Sequence, residues 1–290
     1  MILITGATGN IGTALVRELH ARGIDLRVLV RDPARAAGLP KRIERAVGDL
    51  NVRATLAAAF AGIEKLFLLT QGIGTDQAAN AIAAAHTAGV THIVFISSYS
   101  VLTDPLPAMA RWHHAREALL EASGIPTTVL RPTGFMTNAF EWLPTLAEGG
   151  FVIDAVGPGR LAPIDPADIA AVAARILTTP GHEGKAYAPT GSESLTIAEQ
   201  VHILAAAIGR PIAIRTAAGP DEIVRSRFPN GAAPELAAAI IEGLRLMRED
   251  TAGFRTDDVR MLLGREASTF ATWCARNAPM FQRAVDHRQE

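Results

Sequence analysis

Three glycines in the first turn constrain the fold of this chain more than any other feature. The opening stretch is MILITGATGNIGTALVREL, in which Ile2, Leu3, Ile4 and Thr5 read as a short buried strand and Thr13 to Leu19 as a helix. Gly6, Gly9 and Gly12 therefore stand in a strand-to-helix turn. Glycines in such a turn let the backbone bend sharply, come close to a bound phosphate and seat the helix against its strand.

The same unit recurs along the chain. Apolar runs at 2–5, 26–30, 65–70, 92–97 and 127–131 alternate with helical stretches, the pattern of parallel strands covered on both faces. Gly23, Gly62, Gly89 and Gly124 fall where the intervening helices would take a glycine at their C-terminal caps. The expected architecture is α/β: a doubly wound parallel sheet, or Rossmann fold, with a smaller C-terminal region. Residues 1–160 are assigned to the main α/β domain that carries the glycine turn. Residues 161–190 are expected to thread back into it through Asp168–Leu177 and a short strand near Ala186–Ala188. Residues 191–290, with helical patterns at 196–208 and 233–249, form the smaller C-terminal region.

Composition narrows the partners. With 290 residues, 49% hydrophobic and 20% charged, the chain can bury a large core and is not disordered. Its 28 basic and 29 acidic residues nearly cancel, without a basic block, so a small molecule is a better partner than nucleic acid. The single Cys274 excludes an intrachain disulfide and a cysteine-based metal cluster, and no His/Asp/Glu group has ligand spacing, so no metal is expected. His86 and His92 read as structural. No apolar run is long enough to span a bilayer, and a strand starting at residue 2 leaves no room for a signal peptide. The cytoplasm is the expected location.

The glycine turn points to a dinucleotide. Its spacing is GxxGxxG with Thr8 in the place of a middle glycine, and the amides from Gly6 through Thr8, Gly9, Asn10, Ile11 and Gly12 would meet a diphosphate at the positive end of the helix. The second strand runs into Arg31, which suits a 2′-phosphate and favours NADP over NAD. The neighbouring Asp32 is the alternative, for a free ribose. Asp49 and Leu50 in GDL could reach the adenine, with Asp49 as a helix N-cap the plainer alternative. The remaining candidates lie at later strand ends, where open parallel sheets gather ligands: Leu69, Thr70, Gln71, Ser97, Ser98 and Pro132 to Phe135.

Taken together, TGATGNIG (5–12), VRDP (30–33), GDL (48–50), ISS (96–98), LRPTGFMTN (130–138), DPADIA (165–170) and VRMLLGREASTFATW (259–273) resemble the NmrA-like family of atypical short-chain dehydrogenase/reductases. That family includes quinone reductases and triphenylmethane-dye reductases. The resemblance implies an NADP-binding Rossmann domain and a small substrate-binding C-terminal part. The wider superfamily carries a serine and a Tyr-x-x-x-Lys pair, yet neither Tyr99 nor Tyr187 has a lysine four residues on. In its place RWHHAREALLEASGI (111–125) resembles the family's His-x-x-x-Glu variant, with His113 and Glu117 on one helix face. A histidine near neutrality would supply a proton or hydrogen bond, Glu117 would orient it or hold the ribose, and Ser98, aligned with the superfamily serine, would bind a carbonyl oxygen. An exposed His–Glu pair on a solvated helix is the plainer reading of the spacing.

The apolar stripe of that helix is read as Trp112, Ala115, Leu119 and Ala122. Met136, Phe140 and Trp142, with Phe135 and with Tyr99 as a spare acid, are expected to wall a flat, apolar substrate. Two functions fit: an NADPH-dependent reductase passing hydride to a quinone-like or conjugated acceptor, or a non-catalytic NADP(H) redox sensor that docks to a protein partner. A homodimer through sheet-flanking helices is compatible with either.

Overall fold

The structure is a computed structural model and describes residues 1–228 and 231–286. Its frame is a seven-stranded sheet built from β1 (Ile2–Ile4), β2 (Leu26–Val30), β3 (Glu44–Val47), β4 (Lys65–Leu68), β5 (His92–Ile96), β6 (Thr127–Leu130) and, after β7 (Phe151–Asp154) has left the sheet, β8 (Ala186–Tyr187). The order is β3-β2-β1-β4-β5-β6-β8 and every pairing is parallel. β1 sits between Leu26 of β2 and Lys65 of β4, each paired with Ile2. The winding reverses between β1 and β4, which opens a crevice at their carboxyl ends.

Helices cover both faces, which is why the strands read as continuous apolar runs. On one face α1 (Asn10–Ala21) packs against α6 (Pro166–Thr178), bringing Leu15, Val16 and Leu19 together with Ile169, Val172 and Ile176. On the other, α2 (Leu56–Phe60), α3 (Asp76–Ala88) and α4 (Ala108–Ala122) contribute Phe60, Ala81, Ala85 and Leu120. Each Leu, Ile, Val or Phe among them removed from water contributes roughly 1.5–3 kcal/mol before entropy is counted. Gly23, Gly62, Gly89 and Gly124 all adopt left-handed φ near 72°, so those helix ends close as their sequence predicts.

A further core lies beyond the sheet. α5 (Leu143–Gly149) and α7 (Ile197–Ile208) pack with the long C-terminal helix over Phe270–Asp286, burying Leu146, Val201, Leu204, Phe270, Trp273 and Phe281. β7 pairs in parallel with β9 (Ala213–Thr216) beside it. Residues 161–190 return to the large sheet through α6 and β8. Two helices, α8 (Pro220–Arg227) and α9 (Pro234–Arg248), then cross toward α4, where Glu242 accepts a hydrogen bond from the Ala108 amide at 2.7 Å. α10 (Asp258–Leu263) and the C-terminal helix, α11, complete the chain.

The apolar stripe expected on α4 is not its buried face. Leu119 is 36% exposed and Ala122 is exposed, while Ala110, Arg116 and Leu120 are buried. The inward face tolerates charge because Arg116 and Glu117 find partners on neighbouring segments, a tertiary arrangement that helical periodicity does not contain.

Candidate functional site

The glycine turn is held rigid by its own backbone and two threonines. Gly6 takes a left-handed φ of 63°, and the Gly9 amide donates to the Gly6 carbonyl at 3.0 Å. A methyl group on Gly12 would lie 2.2 Å from that carbonyl oxygen, so the helix can approach the turn only without a side chain there. The Thr5 hydroxyl links β1 to the Phe67 and Leu69 carbonyls, and the Thr13 hydroxyl reaches the Ala7 carbonyl. No side chain caps α1, and the amides of Asn10, Ile11 and Gly12 have no acceptor among the described residues. The free N–H donors of Asn10 and Ile11 and the helix dipole thus face a cleft of about 400 Å³, lined by Thr8, Gly9, Asn10 and Ile11 among others.

The far end of the cleft is cationic. Arg31 and Arg35 line it, are exposed, and make no ion pair among the described residues. Asp32 lines it too, but its carboxylate already accepts the Ala34 amide at 2.9 Å, capping a 3₁₀ turn at Pro33–Ala36. Asp49 is likewise engaged by the Asn51 amide and side chain, each at 2.9 Å, while Leu50 is buried beside it. Leu69 packs against Gly6, Thr70 is a buried hydroxyl without a partner among the described residues, and the Gln71 amide donates to Gln77. Free amides at one end and two uncommitted guanidiniums at the other fit a dinucleotide bearing an extra phosphate. Arg35, Asn51 and Gln77 escaped sequence reasoning because only the fold brings their loops together.

The His113–Glu117 pair is not a pair. Glu117 is held in a two-pronged ion pair by Arg131 at 2.6 and 3.1 Å, and it accepts a short hydrogen bond from the buried Ser97 hydroxyl. Its carboxylate is satisfied by the residues that directly follow β5 and β6, so the expectation that it orients the imidazole is corrected. His113 lines neither the cleft nor the adjoining slot, and its Nδ1 is buried without a hydrogen bond among the described residues. Burial lowers its pKa to about 4, the Arg116 charge adds to the effect and Glu117 opposes it, so the near-neutral histidine of the sequence reading is an uncharged one. Ser98 caps a 3₁₀ turn at Tyr99–Leu102, its oxygen accepting the Ser100 amide at 3.3 Å and meeting the Ser100 hydroxyl at 2.9 Å. It serves its own backbone rather than pointing free into the crevice.

These shifts carry a pH dependence. His113, His92 and His182 all have pKa values below the 6.5 of an unfolded histidine, chiefly through burial. The unfolded chain then binds protons that the fold refuses, so stability is complete above about pH 6.5 and falls as the pH drops toward 4. Melting temperature is expected to decline between pH 7 and pH 5, and less steeply in His113→Gln. Identical slopes for the two proteins would show that His113 is not the responsible group.

Beside the cleft lies a narrow apolar slot of about 140 Å³, lined by Tyr99, Trp142, Gln200, Ile223 and Met247, with Phe135 common to slot and cleft. Met136 and Phe140 do not line it. Met136 is 2% exposed, and Phe140 packs on Trp273 and Phe281 with ring centroids 5.1 and 5.6 Å away, so both belong to the C-terminal core. Tyr99 is anchored through its amide on the carbonyl of buried Pro132 at 3.1 Å, and its ring stands 5.8 Å from Phe254. Its hydroxyl has no hydrogen bond among the described residues, and burial pushes its pKa up to about 12, so it stays protonated. The α8 and α9 residues of the slot were invisible to the sequence reading, because nothing local ties those helices to β5.

A parallel sheet binds nucleotides at the switch point occupied by this cleft, so the chain is a dinucleotide-binding α/β protein of the Rossmann type. Residues 6–180 match the NAD(P)H-binding family, and the chain belongs to it, as an NmrA-like member of the atypical short-chain dehydrogenase/reductases. An NAD(P)H azoreductase from Xenophilus azovorans is 37% identical over 286 residues, covering 97% of this chain and 99% of the relative. The NADPH-dependent quinone oxidoreductase of Escherichia coli, solved with NADPH, superposes with a TM-score of 0.83 at 29% identity, over 95% of this chain and 99% of that one. The Citrobacter triphenylmethane reductase, solved with NADP(H), gives 0.80 at 26% identity, over 96% and 99%. Among the described residues no helix is long and apolar enough to cross a membrane, and no group of three or more His, Cys, Asp or Glu could hold a metal ion.

Proposed function

We propose that the chain is an NADPH-dependent reductase of flat, conjugated small molecules such as quinones and azo compounds. The observation that carries this reading is Phe135, which stands in both the cofactor cleft and the apolar slot, so that a slender acceptor would lie against the reactive end of the cofactor. Bound NADPH supplies the hydride. The protein's own part is to bind, orient and exclude water. The α1 amides hold the diphosphate, and Arg31 with Arg35 holds the 2′-phosphate and favours NADPH over NADH. The Tyr99 hydroxyl, protonated and unpartnered, donates a hydrogen bond to the acceptor heteroatom that gains charge. Trp142 covers the ring, and the neutral His113, outside both cleft and slot, supports α4. Easily reduced acceptors need little more, which accounts for the missing Tyr-x-x-x-Lys pair.

The test is to add quinones, azo dyes and enones to the protein saturated with NADPH and follow the reduced-nicotinamide absorbance. Multiple turnovers are expected, with Tyr99→Phe lowering kcat by about tenfold or more, as loss of an aimed donor does, and leaving NADPH affinity unchanged. Tight NADPH binding without consumption by any acceptor would overturn the reading in favour of a redox sensor.

A further inference from the structure

Helix α4 also sends a guanidinium to the loop that follows β4, beside the cofactor cleft. Arg116 is 3% exposed; its Nε donates to the Gly74 carbonyl at 2.8 Å and its Nη2 to the Gly72 carbonyl at 2.5 Å. Both glycines have left-handed φ, 74° and 82°, which turns two carbonyls of one short loop toward the same group. No carboxylate pairs with Arg116 among the described residues, although a buried cation ordinarily has one. Its contacts go instead to the carbonyls of the loop that follows β4. That loop continues β4, and its first residue, Gln71, lines the cofactor cleft.

The other side of the loop is tied down as well. The Gln71 amide donates to Gln77 Oε1 at 2.8 Å, Gln77 donates to Asn51 at 3.2 Å, and Asn51 donates to Asp49 at 2.9 Å. This line of polar contacts runs from the adenine side of the cleft to the loop, and Arg116 closes it from the opposite side. We propose that Arg116 is a positioning residue for NADPH, clamping the 71–75 loop so that the cleft rim is formed before the cofactor arrives. Pre-formed rims bind more tightly because ordering is not charged against binding. The inference rests on the dinucleotide reading of the cleft and not on turnover.

The experiment measures NADPH affinity by fluorescence titration, without acceptor, for the wild type, Arg116→Ala and Arg116→Lys, together with hydrogen exchange of the 71–75 amides. Arg116→Ala is expected to raise the NADPH dissociation constant about tenfold, as loss of charged hydrogen bonds does, and to speed exchange in the loop. Arg116→Lys, which can reach one carbonyl rather than two, is expected to fall between them. Millimolar guanidinium is expected to restore affinity to Arg116→Ala. With an acceptor present, KM for NADPH should rise while kcat at saturation changes less than about twofold. Unchanged NADPH affinity in a variant whose loop exchanges fast overturns the proposal, as does a lowered melting temperature with normal affinity. If Arg116→Ala does not fold, Arg116→Lys carries the same measurement. Failure of the wild type itself to bind NADPH would instead defeat the cofactor reading.

Discussion

Replacing Arg31 by alanine is expected to weaken NADPH binding by about 1.5–3 kcal/mol, roughly 10- to 150-fold, while NADH binding changes less than about twofold. The reason is geometric. Arg31 follows β2, lines the cleft and has no ion-pair partner among the described residues, so its donors are available to a 2′-phosphate. Asp32, the residue that would serve a free ribose, spends its carboxylate on the Ala34 amide. Arg35 stands on the same turn and would retain part of the phosphate contact, so the double variant Arg31→Ala with Arg35→Ala should lose more than either alone. Fluorescence titration with both cofactors decides the matter. Equal losses for NADPH and NADH would mean that the arginines act on the fold or on the shared diphosphate, and not on the distinguishing phosphate.

The second large effect separates two glycines that look equivalent in the sequence. An alanine methyl at Gly12 would lie 2.2 Å from the Gly6 oxygen and 2.7 Å from the Ala7 Cα, both backbone atoms that cannot rotate away. Gly12→Ala must therefore displace α1, at about 1–3 kcal/mol or more, and lower the melting temperature by several degrees even without cofactor. At Gly9 the same methyl meets only the Gly6 oxygen, at an ordinary 3.4 Å, and otherwise points into open space where the diphosphate would lie. Gly9→Ala is expected to melt like the wild type and to bind NADPH at least about tenfold more weakly, because the methyl occupies the space a phosphate oxygen needs. Thermal melts of the unliganded proteins, followed by titration, read the two effects separately. Normal NADPH affinity in Gly9→Ala would remove the glycine turn from the binding site.

Much of this arrangement is legible in the chain. Glycine spacing after the first apolar run located the turn, and the alternation of apolar runs with glycine-stopped helices located the parallel sheet. Those features are legible because strand period, helix stops and turn conformation depend on residues within a few positions of one another. The reading of α4 failed on the same ground. Periodicity placed Trp112, Ala115, Leu119 and Ala122 inward, but Leu119 and Ala122 face solvent while Arg116 and Glu117 turn inward to Gly72, Gly74, Ser97 and Arg131. Met136 and Phe140 failed for a related reason. Both are apolar and near the site in sequence, yet packing against the C-terminal helix draws them into a different core.

The sequence by itself determined the class of fold, the cofactor turn and the cation at the end of the second strand, since each is written in neighbouring residues. Only the tertiary structure decided which side chains come together beside the cleft. Whether Glu117 serves His113 four residues away or Arg131 fourteen residues away, and whether Tyr99 opens onto a slot lined by α8 and α9, depends on contacts between distant segments. Those contacts follow from how the helices pack across the sheet, and buried charges go to whichever partner that packing leaves within hydrogen-bonding reach.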